Sequence, residues 1–111
     1  MSNPRKRKGD RAELEAARLI EDMTGWKARR KLGAGRADDE GDLDGIPDTT
    51  VQVASWKNVA DAIREKPRGC VDQQARAGTT HGATFLRLHG GEWRVVLTVE
   101  QWSTYAREAA A

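Results

Sequence analysis

The sequence predicts a small mixed α/β domain in which a central mixed sheet of about five strands is flanked by helices. Three observations support this fold class. Residues 49–56 alternate in β-branched side chains, two further alternating segments meet at a glycine turn at 89–92, and apolar stripes with helical spacing lie near both ends. The predicted order of elements is α-β-β-β-α-β-β-α. A chain of 111 residues fits one domain.

The first helix is predicted to begin at Asp10. Residues 1–9 are basic and lack apolar periodicity, so they predict a flexible arm in front of a single domain, residues 10–111. Asp10 can cap the helix while Glu13, three residues later, reaches back in a capping box. An apolar stripe follows at helical spacing, and Gly25 ends the helix.

The clearest strand of the chain is TTVQVASW, residues 49–56. The basic segment WKARRKLGAG before it predicts a short strand or turn, and residues 43–46 predict a second short strand. Alternate side chains of an extended chain share a face. One face of the clear strand is therefore predicted to carry Val51, Val53 and Ser55, and the other Gln52, Ala54 and Trp56.

The second half of the chain predicts a broken helix, a hairpin and a final helix. Residues 58–78 have a helical pattern that Pro67 and Gly69 interrupt, which predicts two short helices. Two alternating segments around HGGE then predict a β-hairpin. Thr98 and Gln101 form a second capping-box pattern at the start of the last helix.

The net charge of +2 conceals an uneven distribution. Residues 1–36 contain eleven Lys and Arg against five Asp and Glu, whereas residues 37–48 contain six acids and no base. A basic segment followed by a concentrated acidic loop is typical of a protein that binds a polyanion and places metal ions on it. A solvated surface behind a basic tail is the alternative interpretation.

Several other functions are disfavoured by the sequence. Cys70 is the single cysteine and cannot form an internal disulfide, and His81 and His89 have no partners at zinc-ligand spacing. Acidic residues at 40–45 resemble half of an EF-hand loop, but Val51 stands where a bidentate Glu is required. No apolar run approaches the roughly 20 residues that cross a bilayer, so we expect a cytoplasmic protein with no membrane association.

Several motifs in order resemble the PD-(D/E)XK nuclease superfamily. They are the basic KRKG, a first helix with Glu13, GDLDGIP, TTVQVASWKN, a broken helix, and a GG hairpin that leads into VVLTVEQW. The set is most similar to the Holliday junction resolvase-like proteins of actinobacterial phages, and the likeness covers roughly residues 6–108. Each motif alone is weak, and their order and spacing carry the resemblance.

The resemblance implies a restriction-endonuclease-like core and a Mg²⁺-dependent endonuclease, with Mn²⁺ as a substitute ion. Its substrate would be branched DNA such as a four-way junction, and the protein would act as a homodimer in a bacterial or phage-infected cell. The chemistry explains the residue types, because Mg²⁺ prefers carboxylates and waters and activates water against a phosphodiester.

The resemblance also implies the site residues. Glu13 matches the acid of the first helix, Asp42 matches the Asp of the second strand, and Asp44 is its rival because it lies three residues after a glycine. Gln52 stands where the family has a third-strand Glu, and completes the implied metal-ligand set. Ala54 stands where the family has a lysine.

Two nearby lysines are candidates to replace the family's lysine. Lys66 on the following helix is preferred, and Lys57 is an alternative that requires the strand to end or bulge near Ser55. Phosphate contacts are expected from the basic side chains of the first third of the chain. These are Arg5, Lys6, Arg7, Lys8, Lys27, Arg29, Arg30, Lys31 and Arg36.

Three functional hypotheses stay open on the sequence alone. The first is a junction-cutting endonuclease with an altered site, and the second is a catalytically weakened or inactive DNA-binding accessory protein on the same fold. The third is a nuclease of the same superfamily that acts on ends or flaps. Glu13 also keeps a purely structural interpretation as a capping residue.

Overall fold

The computed structural model describes residues 4–31 and 40–111, and the side chains from residue 8 onward within those ranges. The elements follow the order predicted from the sequence, α-β-β-β-α-β-β-α, which confirms a mixed α/β fold. The described helices are α1 (Pro4–Thr24), α2 (Val59–Ala77) and α3 (Val99–Ala110). The described strands are β1 (Arg29–Arg30), β2 (Leu43–Asp44), β3 (Thr49–Ala54), β4 (His81–Arg87) and β5 (Trp93–Val96).

The strands form one mixed sheet in the order β1-β2-β3-β4-β5. β2 is antiparallel to both β1 and β3, β3 and β4 are parallel, and β4 and β5 form an antiparallel hairpin. A parallel pair needs a crossover connection, and α2 provides it. The hairpin turn contains Gly90 and Gly91, both with positive φ, as the predicted glycine turn requires.

The central strand β3 is buried on both faces. Val51 and Val53 pack in one apolar cluster with the buried face of α1, which includes Ala16 and Ile20. Ala54 packs on the other side with Ala62 of α2 and with a leucine of β4. The two helices therefore cover opposite faces of the sheet, as the alternation along β3 predicts.

Helix α1 begins at Pro4, so the prediction that it begins at Asp10 is wrong. Residues 4–9 of the predicted arm belong to this helix. Residues 1–3 lie outside the described part of the chain. Proline suits the first position of a helix, because its missing N–H has no partner there. The predicted capping box at Asp10 and Glu13 is also wrong, because both residues lie inside the helix.

Helix α2 is continuous, and the predicted division into two short helices at Pro67 and Gly69 is wrong. Asn58 caps its start by accepting a hydrogen bond from the Asp61 N–H, and Gly78 ends it in the left-handed conformation. Burial on both sides of the proline holds the helix together. Ala62 before it and Cys70 after it are both fully buried, which offsets the lost hydrogen bond.

Glu15 connects α1 to the hairpin. Its carboxylate accepts hydrogen bonds from Trp93 Nε1 at 2.9 Å and from Arg87 Nε at 3.1 Å. The Trp93 hydrogen bond, assisted by Arg87, lowers the pKa of Glu15.

None of the described helices is long and apolar enough to cross a membrane.

We predict that Glu15→Gln lowers the free energy of unfolding at pH 7 by up to about 1 kcal/mol, because the bonds are half exposed. The pKa of Glu15 is lowered in the folded state. The stabilisation is therefore present above the ordinary carboxyl pKa and disappears as the pH falls through the folded value. Urea unfolding at pH 7 and pH 3.5 measures this. The exposed change Glu65→Gln is the control, and an equal loss at both pH values would contradict the assignment.

Candidate active site

A cavity of about 600 Å³ lies beside the end of β3. Its walls come from the first half of α1, from the residue before β2, from the segment that follows β3, and from α2. Both signs of charge line it. The charged residues are Lys8, Glu13, Asp42, Lys57 and Lys66. The cavity therefore brings two of the predicted acids together with both candidate lysines.

Asp42 is fixed to the edge of β3 by main-chain and side-chain hydrogen bonds. Its N–H donates to the Val51 carbonyl at 2.8 Å, and its Oδ2 accepts from the Val53 N–H at 2.7 Å. Gly41 before it has φ +115°, and a Cβ there would stand only 3.1 Å from the Val51 carbonyl oxygen. The sequence GD thus lets the chain approach β3 closely enough to place this carboxylate.

Glu13 projects from α1 and is largely buried, with 16% of its side chain exposed. Arg30 Nε donates to Glu13 Oε1 at 2.9 Å, and Arg30 Nη2 donates to Asp10 Oδ1 at 2.6 Å. The Glu13 hydrogen bond is the main cause that raises the pKa of Arg30. The acid predicted as a metal ligand is therefore ion-paired with β1, and a metal ion would compete with Arg30 for it.

Both lysines considered as replacements reach the cavity. In a longer strand, alternation would place Lys57 on the far face. Because β3 ends at Ala54, this constraint does not apply to Lys57. Lys66 comes from α2, and its Nζ lies 5.4 Å from the centroid of the Trp56 ring. This distance is within the range of a cation–π interaction.

Two of the residues implied as metal ligands lie elsewhere. Asp44 is exposed and lies 3.8 Å from Arg29. Gln52 is buried on the opposite face of β3, where its amide is 3.5 Å from the position that a Cβ on Gly69 would occupy. Ala54 packs on that same face. The alternation of β3 therefore separates Gln52 and Ala54 from Glu13 and Asp42.

The β3 side chains that do line the cavity are Val53 and, just past the strand, Ser55. The sequence predicts that both lie on one face of β3, but it assigns neither a role. The family pattern has its functional residues at positions 52 and 54, on the other face. Trp56 and Asn58 also line the cavity and were not predicted as site residues. The signal that indicates them is their position directly after a strand that ends beside acidic and basic groups.

The carboxylate set of the cavity is small. Across the part of the chain that the structure describes, no group of three or more His, Cys, Asp or Glu side chains is placed to hold a metal ion. The cavity offers the two carboxylates of Glu13 and Asp42. Mg²⁺ commonly uses one or two protein carboxylates, and waters and substrate phosphates complete its octahedron.

The basic residues predicted to contact phosphate divide into several groups. Lys8 lines the cavity, and Lys27 is exposed next to β1. Arg29 and Lys31 lie near acids, with Lys31 Nζ 3.7 Å from Glu40. Arg30 is engaged with α1, as described above. The remaining predictions lie outside the described side chains and concern Arg5, Lys6, Arg7 and Arg36.

Other reactive side chains have structural surroundings. Cys70 is buried against the sheet, with Sγ 3.6 Å from the Thr50 carbonyl, and burial raises the pKa of its thiol. The His81 ring stacks on Tyr105 with centroids 4.2 Å apart, and its Nε2 lies 2.7 Å from Glu108. These contacts attach α2 and α3 to the sheet, and none of these residues lines the cavity.

Comparisons with known proteins give no match to any family model, curated protein or solved structure. We therefore infer the function of this protein from the residues of the cavity and from their chemistry.

We predict that Gln52→Glu lowers the free energy of unfolding by about 2 kcal/mol or more at pH 7, because it buries a carboxylate between β3 and α2. A buried carboxyl has a raised pKa, so this loss should shrink as the pH falls from the raised value toward about 4.3, the ordinary value for Glu, and should stay constant below it. Chemical denaturation at pH 7 and pH 4 measures the effect.

Gln52→Met is the control for this experiment, since it keeps the length of the side chain without charge. Its cost should stay below about 1.5 kcal/mol at both pH values, because the side chain keeps its approximate volume and carries no charge. A Gln52→Glu variant with unchanged stability at neutral pH would contradict the position of Gln52, because it would mean that the side chain reaches water.

Proposed function

We propose that this protein is a Mg²⁺-dependent endonuclease of the PD-(D/E)XK type that acts on branched DNA with a reduced set of acids. One observation carries the proposal: Glu13 from α1 and Asp42, the residue before β2, line the same cavity as Lys57 and Lys66. These are the acids that the sequence resemblance assigns to the first helix and second strand. Their meeting in one cavity is what a phosphodiesterase site requires.

The topology supports the proposal at the level of the fold. A helix is followed by three antiparallel strands, a crossover helix and a strand parallel to the third. This order of elements is the one expected from the sequence resemblance to restriction-endonuclease-like proteins. A fold hosts many functions, so the functional argument depends on the cavity and not on the topology.

The donor set fits Mg²⁺ in a reduced form. Glu13 and Asp42 would hold the ion, with the rest of its coordination left to water and phosphate oxygens. Bound Mg²⁺ supplies a water of lowered pKa and neutralises charge on a phosphodiester. Glu13 would have to give up its ion pair with Arg30 to hold the ion, so we expect weaker metal affinity than a site of three free carboxylates would have.

The residues of the chain contribute position and charge. The Val53 N–H holds one oxygen of Asp42 in place, which fixes the orientation of this carboxylate before substrate arrives. Lys57 and Lys66 bring two ammonium groups into the cavity. They can contact phosphate oxygens and reduce the negative charge that accumulates when a phosphodiester is attacked. Lys8 extends the positive charge along α1.

A second function is favoured by a different observation. The β3 wall of the cavity presents Val53 and Ser55, neither of which is an acid or an amine. Gln52 and Ala54 face α2 instead. A protein with this wall could bind DNA phosphates through its lysines without cutting them. The alternative is therefore a DNA-binding accessory protein on the same fold.

The substrate geometry and the homodimer are proposed on the resemblance. Symmetric cutting of a four-way junction needs two sites related by a two-fold axis, which a homodimer supplies. DNA contacts through lysines and arginines give affinity with strong salt dependence and little sequence preference. Such contacts suit a protein that selects the shape of a junction.

We predict that Asp42→Asn abolishes Mn²⁺-dependent cleavage of a synthetic four-way junction, with a loss of at least about 100-fold. Asparagine keeps an oxygen that accepts from the Val53 N–H, so the fold is retained while the charge is lost. Asp44→Asn is the matched control, since it removes the same charge two residues away and outside the cavity. Its activity should stay within about threefold of wild type.

The outcomes separate the two functions. Junction binding without cleavage by wild type in Mg²⁺ or Mn²⁺ would reject the endonuclease and leave the accessory protein. Cleavage that Asp44→Asn removes and Asp42→Asn does not would reject the assignment of Asp42. If the wild type neither binds nor cuts the junction, the proposal that this protein acts on DNA is rejected.

A further inference from the structure

Trp56 is a large aromatic side chain at the wall of a charged cavity. It follows the end of β3 directly, and it lines the cavity together with Lys57 and Asn58. The core that covers both faces of β3 does not cover Trp56, and 36% of this residue is exposed. An indole ring exposed among lysines and carboxylates offers a flat apolar surface where a charged ligand would enter.

The surroundings of Trp56 suit a nucleotide. The ammonium of Lys66 lies 5.4 Å from the ring centroid. An ammonium can bind a phosphate, and an indole ring can stack on a base, so the two parts of one nucleotide find adjacent partners. A cation over the ring also stabilises this arrangement before DNA binds.

From this juxtaposition we propose that Trp56 stacks on an unpaired base next to the phosphate that enters the cavity. The inference rests on the proposed function, because it requires DNA in the cavity, and it names the feature of DNA that the site selects. In a duplex, neighbouring base pairs cover both faces of each base. A base is free to stack on a protein ring at a branch point, in a gap or in a single strand.

Trp56 thereby acts as a specificity-determining residue. It discriminates between DNA with an accessible base beside the bound phosphate and fully paired DNA. The lysines bind both forms, since their contacts are to phosphate. The expected signature is a change of preference between substrates and not a uniform change of affinity.

The test measures binding of fluorescent DNA in EDTA, so that cleavage does not interfere. Three probes of equal length are compared: a duplex, a duplex with one unpaired nucleotide, and the same DNA with an abasic residue at that nucleotide. Wild type should bind the unpaired-nucleotide probe about tenfold more tightly than the abasic probe, as expected for one stacked base.

Trp56→Ala should lose about tenfold of affinity for the unpaired-nucleotide probe and keep its affinity for the duplex and the abasic probe within about twofold. Trp56→Phe should retain most of the preference, because a phenyl ring still stacks, and it guards against loss of the fold in the alanine variant. Trp102→Ala is the matched control, since Trp102 is 59% exposed and does not line the cavity.

Equal affinity of wild type for the unpaired-nucleotide and abasic probes would overturn the inference. So would a Trp56→Ala variant that keeps the wild-type preference, or one that weakens all three probes equally while Trp56→Phe does the same. Failure of the wild type to bind any of the three probes, together with failure to bind or cut the four-way junction in Mg²⁺ or Mn²⁺, would instead reject the proposed function, which makes the two failures distinguishable.

Discussion

The alternation of side chains along β3 is the constraint on which the rest of the structure depends. This central strand is covered on both faces, so each of its side chains must face either α1 or α2. Val51 and Val53 face α1, whereas Gln52 and Ala54 face α2. A shift of one residue would exchange the two sets and bury the wrong side chains on each face. The packing of both helices therefore fixes which groups of β3 reach the cavity.

The same strand positions the acids around it. Asp42 is bound to the backbone of β3 by its own N–H and by its carboxylate. Glu13 is carried to the same cavity because the apolar face of α1 packs on β3, and Arg30 holds it there. The apolar packing of α1 on β3 thus brings the carboxylates of Glu13 and Asp42 into one cavity. This is the physical basis of the proposal for a phosphodiesterase site.

The order of elements could be predicted because the apolar periods are strong, and the face of β3 that carries Val51 and Val53 followed from them. The continuity of α2 could not, since burial on both sides of Pro67 keeps the helix intact and local sequence does not specify that burial. The start of α1 at Pro4 agrees with the local preference of proline for the first helical position, which an apolar stripe does not indicate. The meeting of Glu13 and Asp42 agrees with the motif order. The separation of Gln52 from them requires knowing which helix covers which face of β3.

We propose that Glu13 and Asp42 form one divalent-cation site from which Gln52 is excluded. It is tested most directly by a crystal structure with Mn²⁺, in which anomalous scattering locates the ion without assumptions about the protein. We expect a peak in contact with the carboxylates of Glu13 and Asp42, with Arg30 displaced from Glu13 and Gln52 buried against α2. A peak coordinated by Gln52 or Asp44, or none between Glu13 and Asp42 at saturating Mn²⁺, would contradict it.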